Sequence, residues 1–492
     1  MNAGIGRFSQ RIFLAAAAMA APVTAMAHSA ERGLVMLLPT GFAITGGGIA
    51  VLASFLLLAL APRRLLGRII AARLPLWTQR TISPLVPSLV SFVVLSALVL
   101  AGFTASEDPL ANPLPLAIWT LWWVGFTLLQ FLVGDLWKWC NPWYAPGRLA
   151  AALGWPAKAP LTLPAGLGYL PALLLFFSFA WFELVHAAPE DPAGLATAVL
   201  VYWAVTFAGI LAFGYRDWMH RAEPFSIFFR LVGNCSPLLR EPAEGESGDP
   251  AAGPGRVRVS LGWPGQGFLR QAPLPWTGML FVLLALSSNS FDGLSKTFAW
   301  LALGGINPLE FPGRSAVTGF NTAGLAGAFV ALALLFLAAV MLGRSAGPGG
   351  PGRPAPGVMA GRLVYSIVPI AVAFHIAHYL TQLMVNGQYA LRAFADPFAL
   401  GWNLFGLGPD FHVTTSFLNN LHSVSVIWGF QTGVIVLGHI IGILLAHLIA
   451  LELYGRSPDD TRAAVRSQWF LALLMVGYTV FGLWLLSTAS VG

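Results

Sequence analysis

Ten apolar stretches, each long enough to cross a bilayer, dominate this chain. They lie near 38–61, 84–104, 114–136, 167–186, 195–214, 276–294, 319–342, 363–385, 424–453 and 468–487. A helix needs ~20 predominantly apolar residues to span the hydrocarbon core. In lipid, backbone N–H and C=O groups find no water, so a run of this length must satisfy them internally as a helix. The expected fold class is therefore all-α, a polytopic transmembrane helical bundle. The 492 residues are 57% hydrophobic and only 10% charged, where a soluble domain carries roughly 25%. The sixth stretch is the weakest, because Ser287, Ser288, Asn289 and Ser290 interrupt it.

Residues 1–27 read as a signal peptide. Arg7 and Arg11 open it, Ile12 to Ala21 form a short apolar core, and Ala25-Met26-Ala27 is a small-x-small cleavage site. Cleavage makes His28 the first mature residue. Residues 28–492 then form the transmembrane domain. With the mature N-terminus outside, 21 of the 27 Lys and Arg fall in the inside loops 62–83, 137–166, 215–275, 343–362 and 454–467. The outside segments hold only Arg32, Lys296, Arg314 and Arg392. This asymmetry follows the positive-inside rule and places the chain in a bacterial inner membrane, N-terminus on the periplasmic or exterior side. The formal charge of +7 is spread over short loops rather than one patch, which argues against nucleic acid as a partner.

Within the inside loop 215–275, Pro224 to Leu239 is expected to form an interfacial helix with Phe225, Phe228, Phe229 and Leu231 on its apolar side. Segments 241–256 and 345–357 read as linkers. The outside segment 386–423, with Phe394, Phe398, Trp402, Phe405 and Phe411, reads as a structured cap. Asn141-Pro142-Trp143 is a helix stop with an interfacial aromatic, and nearby Asp135 and Lys138 are expected to pair. Cys140 and Cys235 lie in separate loops without a CxxC and read as free thiols.

Ionisable side chains within spans are costly and mark candidate sites. His375 and His378, at i and i+3, share a face ~4.5 Å apart along the axis, and Gln382 continues it. His439 and His447, at i and i+8, share a face ~12 Å apart. Glu183 and His186 have the Glu-x-x-His spacing of di-metal helix bundles. Asp292 ends the sixth span. His28 would offer both amine and imidazole. With this topology Glu183, His186, Asp292, His375, His378 and His28 gather towards the outer half, with His439 at mid-depth. Neutral imidazole and carboxylate suit divalent transition metals such as Zn, Mn or Cu. The plainer expectation for any single buried His is a helix–helix hydrogen bond. His412 and His422 fall in the cap, and His220 falls in an inside loop with no assigned role. The chain has no GxxxxGK[ST], GxSxG, HExxH or CxxCH motif.

These pieces resemble a family of bacterial multi-pass membrane proteins labelled fenitrothion hydrolase. The matching segments are AHSAERG, GDLWKWCNPW, FAWFELV, RDWMHR, FDGLS, VPIAVAFHIAHYL, ADPFALGWNLFG and GHIIGILLAH, which run from residue 27 to about residue 455. The resemblance implies hydrolysis of a phosphotriester with release of a nitrophenol. It carries over onto His28, Glu183, Asp292, His375, His378, His439 and His447, but not onto His186. Two functions follow. One is a membrane-embedded metal hydrolase of lipophilic phosphotriesters, with His28, His375, His378 and His439 as ligands and Glu183 or Asp292 as ligand or base. The other is a copper-handling or haem-binding protein. There, His186 and His447 extend a path or second site, or His375 and His439 clasp one haem.

Overall fold

The computed structural model describes residues 34–35, 37–155, 159–243, 255–347, 353–408, 411–455 and 458–490. The expected leader, its cleavage site and His28 lie outside the described residues, as does most of the 241–256 segment.

Each apolar stretch is a helix. Helices α1 (Thr40–Leu60), α2 (Leu85–Thr104), α3 (Pro113–Val133), α4 (Leu170–Leu184) and α5 (Pro192–Phe213) come first. A short amphipathic helix, α6 (Pro224–Asn234), follows, with Phe225, Phe228, Phe229 and Leu231 buried in the core of the bundle rather than at an interface. Then come α7 (Trp276–Ser295), α8 (Arg314–Ala346), α9 (Pro356–Ala395), α10 (Leu421–Tyr454) and α11 (Pro458–Ser487). Among the described residues, nine helices are long and apolar enough to cross a membrane. The exception is α4, with 15 residues, a rise of only about 22 Å against a core of ~30 Å.

Local chemistry sets the ends. Asp191 caps α5 by accepting from the Gly194 N–H at 2.7 Å, with Pro192 in the first turn. Asn420 caps α10 by accepting from His422 and Ser423, and Gly455 at φ +106° ends it.

Burial sorts the helices. In α9, 89% of the most apolar window is buried, against 17% in α2. Thus α9 is the central post and α2 faces lipid. The polar run of α7 is explained the same way, since Ser287, Ser288, Asn289, Ser290 and Asp292 are all buried within the bundle. Three of the serines return their hydroxyls to Leu284, Ala285 and Leu286 carbonyls one turn back. Close packing of α10 on α9 needs Gly438, where a Cβ would stand 2.3 Å from Ala373 Cβ and 2.9 Å from the Pro369 carbonyl oxygen.

Three expectations need correction. Helix α6 ends at Asn234 rather than Leu239, because Pro237 disfavours helical backbone at Ser236. Leu238 and Leu239 instead enter a three-stranded antiparallel sheet of β1 (Leu74–Arg80), β2 (Leu238–Pro242) and β3 (Arg256–Leu261), ordered β1-β3-β2. The first ten residues of the expected cap, 386–395, are the last turns of α9, which runs on until Asp396-Pro397 stops it. Beyond them the Asp396 carboxylate accepts from the Leu400 and Gly401 N–H groups. Finally, Asp135 accepts from the Lys138 backbone N–H at 3.3 Å, while the Lys138 ammonium lies 4.2 Å over the Trp139 ring.

The sheet sits at one end of the bundle, where α1, α3 and α6 finish and α2 and α7 begin. The other end, where α4 and α7 finish and α8 begins, carries the polar cluster described next.

Candidate functional site

The cluster is assembled on α9. Successive turns of this buried helix present His375, His378 and Tyr379, and the Tyr379 ring packs 4.8 Å from each imidazole. His378 Nε2 donates to Asp292 Oδ2 of α7 at 2.7 Å. The other oxygen, Asp292 Oδ1, pairs with Lys296 Nζ one turn on, also at 2.7 Å. One buried carboxylate thus bridges an imidazole and an ammonium. Charge-assisted bonds of this length are the strong ones.

A second carboxylate stands opposite. The Tyr379 hydroxyl donates to Glu183 Oε1 at 3.1 Å. Arg314, at the start of α8, donates to the Glu183 backbone carbonyl at 2.6 Å and so ties down the end of α4. His375 Nε2 donates to the Trp123 carbonyl at 3.0 Å, and its ring meets the Trp123 indole edge-on at 5.0 Å. Trp123 sits where α3 is wound as a wider π-helix, over Leu116–Phe126, and its carbonyl also receives the Thr127 hydroxyl at 2.6 Å. Such windings recur at functional sites.

Asp292 is 5% exposed, but His378 is 16% and Lys296 46% exposed. Gly293 lies beside the His378 ring, and even an added Cβ would stand 3.8 Å from Nδ1. The lack of a side chain at Gly293 thus leaves the Nδ1 edge of the ring uncrowded from α7.

The structure brings Glu183, Asp292, His375 and His378 together and leaves the other candidates apart. His186 lies past the last residue of α4, so the i, i+3 relation to Glu183 does not hold. Its N–H bonds back five residues to Trp181, its Nδ1 accepts from Ala188 N–H at 3.2 Å, and its ring stacks on Phe182 at 4.8 Å. His439 donates through Nδ1 to the Ile435 carbonyl of its own helix at 2.9 Å, and its ring lies 6.1 Å from Phe374. His375 and His439, the pair that would clasp a haem, are thus held by different neighbours. His447 is buried next to Gln468 of α11. Among the described residues, no three His, Cys, Asp or Glu side chains form a group that could hold a metal ion. The donor set therefore does not fit a metal centre within this part of the chain.

Three contributors are not legible as ionisable residues within spans. Tyr379 was hidden because a tyrosine in a span is unremarkable. Lys296 and Arg314 were counted as outside charges. The i, i+4 spacing of Asp292 and Lys296 was the signal available for one of them.

Beside the cluster, α2, α3, α4 and α5 border an open cavity of about 730 Å³. Leu98, Trp119, Trp122, Phe179, Phe182 and Tyr202 line it. It shares two elements with the cluster. Phe182 precedes Glu183 on α4, and Phe179 packs 4.9 Å from the Trp123 ring. No family model, curated protein or solved structure matches the chain.

Proposed function

We propose that this protein is a membrane-embedded hydrolase of lipophilic esters, the phosphotriester class foremost, working by general acid–base catalysis at Asp292, His378, Tyr379 and Glu183. The observation that carries the reading is the Asp292–His378 pair at 2.7 Å, its carboxylate buried and its imidazole 16% exposed. Asp292 fixes the tautomer with the proton on Nε2, which leaves Nδ1 as the base, as an orienting carboxylate does in hydrolytic triads. His378 Nδ1 takes a proton from water as the water oxygen bonds to phosphorus. The phosphorus–aryloxide bond breaks, and the same proton passes from His378 to the aryloxide, giving a diester and a phenol. The Tyr379 hydroxyl, whose one proton Glu183 accepts in the free protein, turns that proton to the phosphoryl oxygen as charge develops there.

The aromatic cavity suits a lipophilic substrate in size and lining, since ligand pockets typically enclose about 300–1,000 Å³. With the N-terminus outside, the cluster opens to the exterior half of the bilayer and substrate arrives from the outer leaflet. The resemblance noted in the sequence supplies the phosphotriester class. Since no three ligand side chains group among the described residues, the reading routes no step through a metal.

Metal removal tests this directly. Protein purified in detergent and dialysed against 1,10-phenanthroline and EDTA is expected to keep its aryl-phosphotriester turnover, with no stoichiometric Zn, Mn or Cu by elemental analysis. Turnover lost on chelation and restored by one added metal would overturn the metal-free reading.

A further inference from the structure

At the opposite end of the bundle the inside loops build a second, charged cavity of about 280 Å³. The end of α3, helix α6, strand β2 and the short helical turn Gln266–Arg270 enclose it. Its walls carry five cations, Arg73, Lys138, Arg230, Arg240 and Arg270, against two carboxylates, Asp135 and Glu241, a formal excess of three. The excess is unevenly compensated. Glu241 is taken by Arg270 at 2.5 Å and by Arg73. That leaves Lys138, Arg230 and Arg240 facing Asp135 alone, and none of the three forms an ion pair with a carboxylate among the described residues.

Their known partners are neutral or aromatic. Arg230 donates to the His220 carbonyl at 3.1 Å, and Arg240 donates to the Val133 carbonyl. Arg240 Nε is buried without a hydrogen-bond partner among the described residues. Burial raises the Asp135 carboxyl above its ordinary value and lowers the Lys138 ammonium.

The cavity is also sterically prepared. Gly134 turns the chain at φ +90°, where a Cβ would collide with the Arg240 guanidinium, and Gly233 lets α6 approach to where a Cβ would stand 2.5 Å from the Asp135 nitrogen. Both glycines keep the basic side chains around one enclosed space. Arg230 and Arg240 are half-buried and Lys138 is exposed at the rim, so an anion can reach all three, and guanidinium groups match the forked oxygens of phosphate.

We infer that this cavity binds one phosphate-class anion, either the phosphodiester headgroup of an anionic lipid or soluble inorganic phosphate. Lys138, Arg230 and Arg240 hold it at the membrane surface, on the basic side of the bundle. The site shares no residue with the Asp292 cluster and stands whether or not the hydrolase reading holds.

Two arms separate the sources. In the first, the full chain is exchanged into nanodiscs of phosphatidylcholine doped with phosphatidylglycerol, then released for native mass spectrometry. Retention of one phosphatidylglycerol, not displaced by millimolar phosphate, identifies the headgroup. In the second, lipid-free protein in neutral detergent is titrated calorimetrically with inorganic phosphate, and saturable one-site binding identifies the soluble anion. In whichever arm binding is seen, K138Q/R230Q is expected to weaken it roughly thirtyfold, at the contribution expected per basic residue near an anionic surface. The charge-matched control R64Q/R148Q is expected to leave it unchanged. If the double variant does not fold, R230Q alone serves, with a several-fold loss expected. No saturable binding of either probe, or equal weakening by the control pair, would overturn the site.

Discussion

Replacing Asp292 with Asn lowers phosphotriester turnover by roughly 10²–10⁴-fold, the range associated with a lost general base or a misdirected imidazole tautomer. The carboxylate accepts from His378 on one oxygen and Lys296 on the other. An amide in its place presents an N–H to one of these donors, so His378 turns its proton to Nδ1 and ceases to be a base. The substitution is nearly isosteric, and the helix around it keeps its backbone hydrogen bonds. The thermal unfolding midpoint therefore falls far less than activity does. Lys296→Gln serves as the internal comparison. Its ammonium is 46% exposed, and its loss leaves the Asp292–His378 hydrogen bond in place, so turnover falls less than in Asp292→Asn. Parallel turnover and thermal-unfolding measurements on the two variants check this. Equal loss of activity in both would mean that Asp292 acts through its charge alone and not by orienting His378.

The second large effect concerns the bundle. Gly438→Leu is expected to destabilise the protein by ~3 kcal/mol, the upper end of ordinary overpacking penalties. A Cβ at 438 already stands 2.3 Å from Ala373 Cβ and 2.9 Å from a backbone oxygen. Backbone cannot rotate away as a side chain can, so α9 and α10 must separate. Small residues at such crossings allow close helix approach in lipid. Gly433 of the same helix has nothing within 4 Å of its added Cβ. Gly433→Ala is therefore neutral or slightly stabilising, since alanine is the better helix former. Thermal unfolding followed by size-exclusion chromatography distinguishes the pair, and equal stability in both variants would place the α9–α10 crossing elsewhere.

What the sequence disclosed follows from the range of the forces involved. Lipid imposes length and apolarity on every span, so all ten helices were visible as hydrophobic runs. The polar run at Ser287–Ser290, which made the sixth stretch look weak, marks the helix that lies inside the bundle. Four members of the cluster were visible as costly charges or imidazoles in spans. Their pairing was not, because Asp292 and His378 are 86 positions apart and meet only through packing of α7 on α9. The Glu183–His186 spacing misled for a local reason. The helix ends at Leu184, and a spacing rule holds only while the helix continues. The sheet was missed because its strands are short and separated, and only pairing across long loops makes them strands. The basic loops were read as a compass for topology, which hid their convergence on one cavity.

The most direct test of the acid–base account is hydrolysis of a diethyl aryl phosphate in ¹⁸O-labelled water by the purified, chelator-treated protein in nanodiscs, alongside His378→Gln. The account predicts aryl alcohol release with one ¹⁸O in the diethyl phosphate, abolished in the variant. Release no faster than from empty nanodiscs, or release that His378→Gln leaves intact, would contradict it.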